Sequence, residues 1–140
     1  MNTQNYTQKT VEAIQNAQNI ARENDNQSLV PEHLLYSLLD QYGGLIPSLF
    51  VKMGVDGHTV LGELDSYIAT LPKVSGGEMY LSSETDRVIR TAEKTAKSMN
   101  DEYVSVEHLM LGIFTNMTPE IRKIFNAHGI TKNAFVAELS

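Results

Sequence analysis

Apolar side chains recur along most of the chain at the three- and four-residue intervals that place them on one face of a helix. The first long segment, residues 6–23, shows the pattern at Tyr6, Thr10, Ala13, Ile14, Ala17, Ile20 and Ala21. The next predicted helix starts at Pro31 and is apolar on most sides, which is typical of a buried central helix. A third helix is predicted from residues 46–47 to Gly54, and a fourth around residues 60–68. No segment alternates at a period of two, so no significant sheet is predicted.

The same pattern occurs twice. A constant shift of 75 positions lays residues 7–65 over residues 82–140 without a gap. The Glu-His-Leu of residues 32–34 then falls on the Glu-His-Leu of residues 107–109. A repeat of this kind predicts two similar helical halves, which we expect to pack about a pseudo-twofold axis.

The chain has the length of one ordinary domain, so we expect a single domain over residues 1–140. Its predicted parts are a first repeat at about residues 6–70, a linker at about 71–81 and a second repeat at about 82–140. Proline, serine and paired glycines in the linker predict a loop that is mobile around residues 75–77.

Composition narrows the possible functions. The net charge of −6, with lysine and arginine scattered, opposes binding to nucleic acid or to an anionic membrane. The absence of cysteine excludes disulfides, thiolate metal sites and a cysteine nucleophile. The polar N-terminus predicts no signal peptide, and no apolar run approaches the ~20 residues of a membrane helix. These features fit a cytoplasmic protein.

His33 and His108 each follow a glutamate, which raises the question of a metal site. Adjacent residues on a helix point about 100° apart, so a Glu-His pair cannot grip one ion as an i, i+4 pair can. We therefore expect each imidazole to be a packed, hydrogen-bonded residue near a helix start, and we predict no metal site.

Four segments together carry a resemblance to a known family. They are residues 31–34 (Pro-Glu-His-Leu), 71–76 (Leu-Pro-Lys-Val-Ser-Gly), 80–82 (Tyr-Leu-Ser) and 101–109 (Asp-Glu-Tyr-Val-Ser-Val-Glu-His-Leu). With the gapless repeat, they make the chain resemble the N-terminal domain of the ClpB-type AAA+ protein disaggregases, a double Clp N-terminal repeat. The resemblance covers essentially the whole chain.

The resemblance implies an all-α fold of about eight helices in two pseudo-twofold-related four-helix repeats. It also implies a chaperone role in the stress and heat-shock response. Members of the family are hexameric ATPases that disaggregate and help refold denatured proteins with the DnaK system, and this domain engages unfolded or aggregated polypeptides. No Gly-x-x-x-x-Gly-Lys-Ser/Thr phosphate loop occurs in the chain. We therefore expect a monomeric domain that is no enzyme and has no cofactor, with ATP and magnesium in the parent's other modules.

The resemblance also implies a site. The family's polar cluster for substrate engagement matches Thr7, Asp101 and Glu107, which supply a hydroxyl and two carboxylates for amides or basic side chains. A structural interpretation stands beside it, in which Thr7 caps the first helix, Asp101 ends the fifth and Glu107 offsets the dipole of the sixth. Both interpretations can hold at once.

A domain that binds non-native chains also needs exposed apolar surface. The candidates are Val88, Ile89, Tyr103 and Val104, all in the second repeat. Val88 and Ile89 could equally fill the core, whereas Tyr103 combines an apolar ring with a polar tip and is the better candidate.

A second function stays open, namely the adaptor-docking or marked-substrate-binding N-domain of a ClpC- or ClpA-type unfoldase. Glu32 and Glu107 hold equivalent places in the two halves and could form paired sites for cationic or phosphorylated-arginine groups. The ClpB-like linker argues against this alternative. A free-standing enzyme is a third class, but nothing in the sequence resembles an active site.

Overall fold

The computed structural model describes residues 2–140, and within them the chain forms eight α-helices. In chain order they are α1 (Gln8–Glu23), α2 (Pro31–Leu39), α3 (Leu45–Lys52), α4 (Gly57–Ile68), α5 (Ser83–Ser98), α6 (Val106–Thr115), α7 (Pro119–His128) and α8 (Lys132–Leu139). The only named strands there, β1 (Ser28–Leu29) and β2 (Tyr80–Leu81), form a short parallel pair. The prediction of an all-α fold with about eight helices is confirmed. No helix in this part of the chain is both long and apolar enough to cross a membrane.

The sequence repeat reappears in the helix boundaries. Helices α1 and α5 are both 16 residues long, and the 75-position shift superposes their first and last residues. Thr7 caps α1 through its side chain, and Ser82 caps α5 in the same way. Helix α1 begins directly after the predicted cap Thr7, and Tyr6, which shares the helical spacing, lies outside the helix and pairs with Val104.

The residue that caps the first helix of each repeat is hydrogen-bonded to a loop of the other repeat. The backbone N–H of Ser82 donates to the carbonyl of Leu29 at 3.0 Å, and that of Thr7 donates to the carbonyl of Val104 at 3.1 Å. Positions 7 and 82 are equivalent in the repeat, as are 29 and 104. Each repeat therefore begins by pairing with the loop of the other repeat, as a pseudo-twofold relation requires.

One core runs through both repeats. Helices α2 and α6 are buried along most of their lengths and contact each other, as expected of central helices. The mirrored contacts α1–α6 and α2–α5 tie each repeat to the other. The largest fully buried side chains include Phe50, Phe125 and Phe135. The residue limits given above for the domain, its repeats and its linker stay a prediction.

The two repeats differ where their first and second helices meet. In the first, the Ser37 hydroxyl donates to the carbonyl of Ala13 at 2.6 Å. In the second, Gly112 stands in place of Ser37, and a Cβ there would overlap the carbonyl oxygen of Val88, the counterpart of Ala13. Helices α5 and α6 therefore approach more closely than a side chain at position 112 would permit.

Candidate functional site

A parallel β-bridge joins the N-terminal segment to the loop between α5 and α6. Tyr6 is the bridge partner of Val104, and the N–H of Val104 donates to the carbonyl of Asn5 at 2.8 Å. We call residues 99–105 the second-repeat loop. The bridge holds Thr7 beside this loop, which carries Asp101 and Tyr103.

Thr7 acts as the cap that the sequence predicts. Its Oγ1 accepts from the backbone N–H of Thr10 at 3.2 Å and lies 2.8 Å from the Thr10 hydroxyl. Thr7 is half-buried, so part of the residue still reaches the surface next to the second-repeat loop. The structural role of Thr7 is therefore shown, and it leaves a place in a binding site open.

Asp101 ends α5 and orients a buried histidine. Its N–H donates to the carbonyl of Ala96 at 2.9 Å, after Asn100 has turned into the left-handed region with φ 58°. Its Oδ2 lies 2.8 Å from Nε2 of His108, and Nδ1 of His108 accepts from the N–H of Ser105. The neutral imidazole therefore carries its proton on Nε2 and donates it to Asp101. The Asp101 side chain remains 44% exposed.

Glu107 lies in the first turn of α6, where a carboxylate suits the positive end of the helix dipole. It is half-buried, and it makes no hydrogen bond or ion pair with any residue among 2–140. Tyr103 is 47% exposed on the second-repeat loop. An aromatic ring and an unpaired carboxylate are therefore both open to a partner at this end of α6.

Three of the four residues considered for an apolar groove are not exposed, and Val88 and Ile89 follow the alternative in which they fill the core. Val88, Ile89 and Val104 are buried, with 0%, 5% and 6% of their surfaces exposed. Val88 and Ile89 lie on α5, which packs on α6, whereas Val104 is bridged to Tyr6 of the N-terminal segment. These three residues belong to the core and expose almost no surface to a partner. The exposed apolar side chains of the second-repeat loop are Tyr103 and Met99.

A cleft of about 420 Å³ opens between the N-terminal segment and the second-repeat loop. Its charged lining consists of Glu93, Lys97, Asp101 and Glu102. The hydroxyl of Tyr6 donates to Glu93 at 2.8 Å, and burial followed by this hydrogen bond holds the Tyr6 pKa well above its usual range. With three carboxylates and one ammonium, the cleft suits cations and N–H donors.

Glu32, the counterpart of Glu107, is not available to a partner. It is 1% exposed, and its Oε2 accepts from the hydroxyl of Thr118 at 2.5 Å. Burial raises the Glu32 pKa, while the Thr118 hydrogen bond opposes that shift. The expectation of two equivalent glutamate sites is therefore wrong for this conformation. The counterpart of Thr118 is Gly43, which has no side chain to cover Glu107.

The prediction that His33 and His108 are packed, hydrogen-bonded residues near a helix start is confirmed. Nδ1 of His33 accepts from the N–H of Val30 at 3.0 Å, and its Nε2 lies 2.9 Å from Oδ1 of Asn26. Burial lowers the His33 pKa to about 4, which keeps the ring neutral. Both nitrogens of each ring are thus engaged. Within the described chain, no three His, Asp or Glu side chains are grouped so that they could hold a metal ion.

The sequence and the fold of this chain are similar to those of known proteins. A family model described as the Clp repeat N-terminal domain matches residues 5–128. The chaperone protein ClpB of Porphyromonas gingivalis is 45% identical over 115 residues, which are 82% of this chain and 13% of that protein. The chain thus spans only a small part of the length of this relative.

Solved structures show the same fold. The Hsp104 N-terminal domain from Candida albicans matches 96% of this chain and 89% of its own, with a TM-score of 0.85 at 19% identity. A ClpV N-domain solved in complex with a VipB peptide matches 89% of this chain and 79% of its own, with a TM-score of 0.71 at 14% identity.

Proposed function

Since the chain belongs to the Clp repeat N-terminal domain family, we propose that it is the substrate-engaging N-terminal domain of a ClpB-type chaperone. In this proposal it contacts exposed segments of unfolded or aggregated polypeptides and passes them to an ATP-driven disaggregase. The 45% identity to a ClpB chaperone supports this choice within the family. The relative named ClpB is much longer than the matched region, so the disaggregase itself belongs to the proposal.

The other activities of the parent follow from the same proposal. We assign ATP, magnesium and hexamer assembly to further modules of a ClpB-type AAA+ protein, and cooperation with DnaK to the assembled machine. The chain itself has no phosphate-loop motif and would act as a monomeric binding module. Its place of action would be the bacterial cytoplasm, where it would serve stress-denatured proteins.

One observation carries the proposal. Asp101, Tyr103 and Glu107 present two carboxylates and an aromatic ring at one end of α6, and Thr7 is bonded to the loop between them. The Glu107 carboxylate is half-buried and unpaired among residues 2–140, so it can accept hydrogen bonds from a partner. Amides and basic side chains of an extended segment would supply donors, while the Tyr103 ring would pack on apolar side chains.

The proposal is tested by an amide NMR titration with a permanently unfolded polypeptide. We expect shifts to cluster on Thr7, Asp101, Tyr103 and Glu107 and to be lost in Glu107→Lys. Glu120→Lys is the matched control, because Glu120 also occupies the second position of its helix and the charge reversal carries a similar dipole penalty. It should bind like the wild type.

Two results would count against this function. Binding that is lost equally in both variants would indicate a general charge effect and no site at Glu107. The absence of any shift would mean that the domain does not engage unfolded chains. In that case the adaptor-docking role would come first.

A further inference from the structure

The linker of this protein covers the loop of the first repeat. We call residues 24–30 the first-repeat loop, which is equivalent to the second-repeat loop. The N–H of Val74 donates to the carbonyl of Asp25 at 2.8 Å, and the N–H of Tyr80 donates to that of Gln27 at 3.0 Å. Two short stretches of the linker, on either side of a turn at Gly76 and Gly77, are thus bonded to this loop through their backbone.

Side chains of the first-repeat loop complete the seat by donating to the linker. Nδ2 of Asn26 donates to the carbonyl of Pro72 at 3.2 Å, and Nε2 of Gln27 donates to that of Glu78 at 3.1 Å. Asn26 is only 4% exposed as a result. The first-repeat loop therefore holds the backbone of the linker with two carbonyl acceptors and two amide donors.

The second-repeat loop has the same backbone form. Asp25 and Asn100, at equivalent positions, both lie in the left-handed region, with φ of 55° and 58°. Asn26 and Asp101 then close their helices alike, through N–H···O bonds of 2.8 and 2.9 Å. The backbone conformation of the loop that binds the linker in the first repeat is thus repeated in the second-repeat loop.

The N-terminal segment covers this second loop only in part. Its residues 2–6 are equivalent to linker residues 77–81, and Tyr6 bridges Val104. No residue among 2–140 donates to the carbonyls of Asn100 or Glu102, which correspond to the two carbonyls that the linker uses. Residues 99–103 are all exposed, whereas of their counterparts Asn26 is buried, Asp25 is exposed and the other three are half-buried. Exposed, unpaired backbone of this kind is a ready partner for an extended chain.

The side chains of the second-repeat loop favour a different kind of bound segment. Asp101 and Glu102 replace Asn26 and Gln27, so two amide donors have become two carboxylates that only accept. These two carboxylates cannot donate to backbone carbonyls as Asn26 and Gln27 do, so a bound segment has to gain affinity from other contacts. Lysine or arginine side chains would be attracted, and Glu93 adds a further negative charge to the adjoining cleft.

We propose that the second-repeat loop binds an extended, lysine- or arginine-containing segment of another polypeptide, seated as the linker is seated on the first-repeat loop. Its N–H groups would pair with the carbonyls of Asn100 and Glu102, and its cationic side chains with Asp101 and Glu102. Tyr103 and Met99 would pack on its apolar side chains. The inference rests on the proposed function and deepens it by naming the class of segment that is engaged.

The linker itself supplies the probe. In the first repeat, Nζ of Lys73 donates to the carbonyl of Asn24 at 3.0 Å, so the linker sequence already places a cation beside this kind of loop. A capped peptide of residues 71–77, Leu-Pro-Lys-Val-Ser-Gly-Gly, is titrated into the whole chain and followed by amide NMR. A second peptide carries glutamate in place of lysine. We expect shifts at residues 99–103 with the lysine peptide and at least tenfold weaker binding of the glutamate peptide.

The double variant Asp101→Asn/Glu102→Gln gives the second-repeat loop the side chains of the first. The fold should tolerate it, because Asn26 already serves as the oxygen acceptor for His33 in the first repeat. We expect about a tenfold loss of affinity for the lysine peptide, as two exposed charge pairs are removed. The control Glu12→Gln/Asp65→Asn removes the same charge from exposed positions on α1 and α4 and should bind normally.

The outcomes separate this inference from the proposed function. Equal binding of both peptides, or shifts confined to residues 24–27, would overturn the inference. An unfolded polypeptide that shifts Glu107 while the lysine peptide leaves residues 99–102 unmoved would overturn it too, and the proposed function would stand. If neither probe binds, both are wrong.

Discussion

Replacing Gly112 with alanine tests how tightly the two helices of the second repeat are packed. Glycine in a helix interior is about 1 kcal/mol less favourable than alanine, so intrinsic propensity alone predicts that the variant is more stable. The structure predicts the opposite, because the new Cβ would overlap the carbonyl oxygen of Val88. Backbone has to move to relieve this contact, and overpacking of that kind costs about 3 kcal/mol.

The expected net loss is therefore about 2 kcal/mol. For a chain of 140 residues, this corresponds to a Tm lower by roughly 7 °C, at about 2 cal/mol/K of unfolding entropy per residue. Gly62→Ala is the matched control, since Gly62 lies inside α4 and nothing stands within 4 Å of its Cβ position. That variant should gain up to about 1 kcal/mol. Thermal unfolding followed by circular dichroism measures both. A Tm that rises in Gly112→Ala as it does in Gly62→Ala would refute the close packing of α5 on α6.

Three further predictions concern buried polar groups. The lowered pKa of His33, about 4, means that the folded protein binds this proton less tightly than the unfolded chain. Stability should then fall by up to about 3 kcal/mol as pH drops from 6.5 to 4, measured by urea unfolding across that window. The pKa of Glu32 is raised, so its ionised form is destabilising above that pKa. Glu32→Gln, which can still accept from Thr118, should raise the Tm at pH 7, with a gain that vanishes below pH ~4. Asp101→Ala should cost about 1–3 kcal/mol in urea unfolding by leaving the buried His108 N–H unpaired, whereas Asp101→Asn should cost less than 1 kcal/mol.

Each of these has a clear contrary result. A flat stability profile between pH 6.5 and 4 would mean that His33 is protonated as readily in the folded state as in the unfolded chain. A Glu32→Gln gain that persists at low pH would come from packing and not from charge. Equal losses in the two Asp101 variants would show that the bond to His108 contributes little.

Much of the fold follows from local sequence signals. The gapless repeat correctly pairs α1 with α5 and α2 with α6, since both the apolar period and the caps recur at a fixed offset. Thr7 and Ser82 are recognisable caps because a hydroxyl before an apolar helical pattern satisfies the first free N–H groups. The two-residue strands lie outside the reach of such reasoning, because so short a segment cannot show a period.

The candidate site was only partly within reach of the sequence. Periodicity shows which face of α5 is apolar, but it cannot show that α6 covers Val88 and Ile89. Both glutamates open the same Glu-His-Leu motif, yet Thr118 covers Glu32 while nothing comparable among residues 2–140 covers Glu107. The burial of Val88, Ile89 and Glu32 depends on contacts with residues that are distant in the sequence. Comparing the two copies position by position would have pointed to them, since Thr118 faces Gly43 in that comparison.

The differences between the two repeats described above all concern whether a polar group is covered by another part of the chain. In the first repeat, polar groups are closed from within the chain, with the linker on Asn26 and the Thr118 hydroxyl on Glu32. In the second, the equivalent Asp101 and Glu107 stay open to other molecules. Two copies of one helical unit share a scaffold and a core, so a change that opens one loop need not disturb the other. Under the proposed function, the first repeat would therefore serve mainly as support, and the groups available for binding would lie in the second.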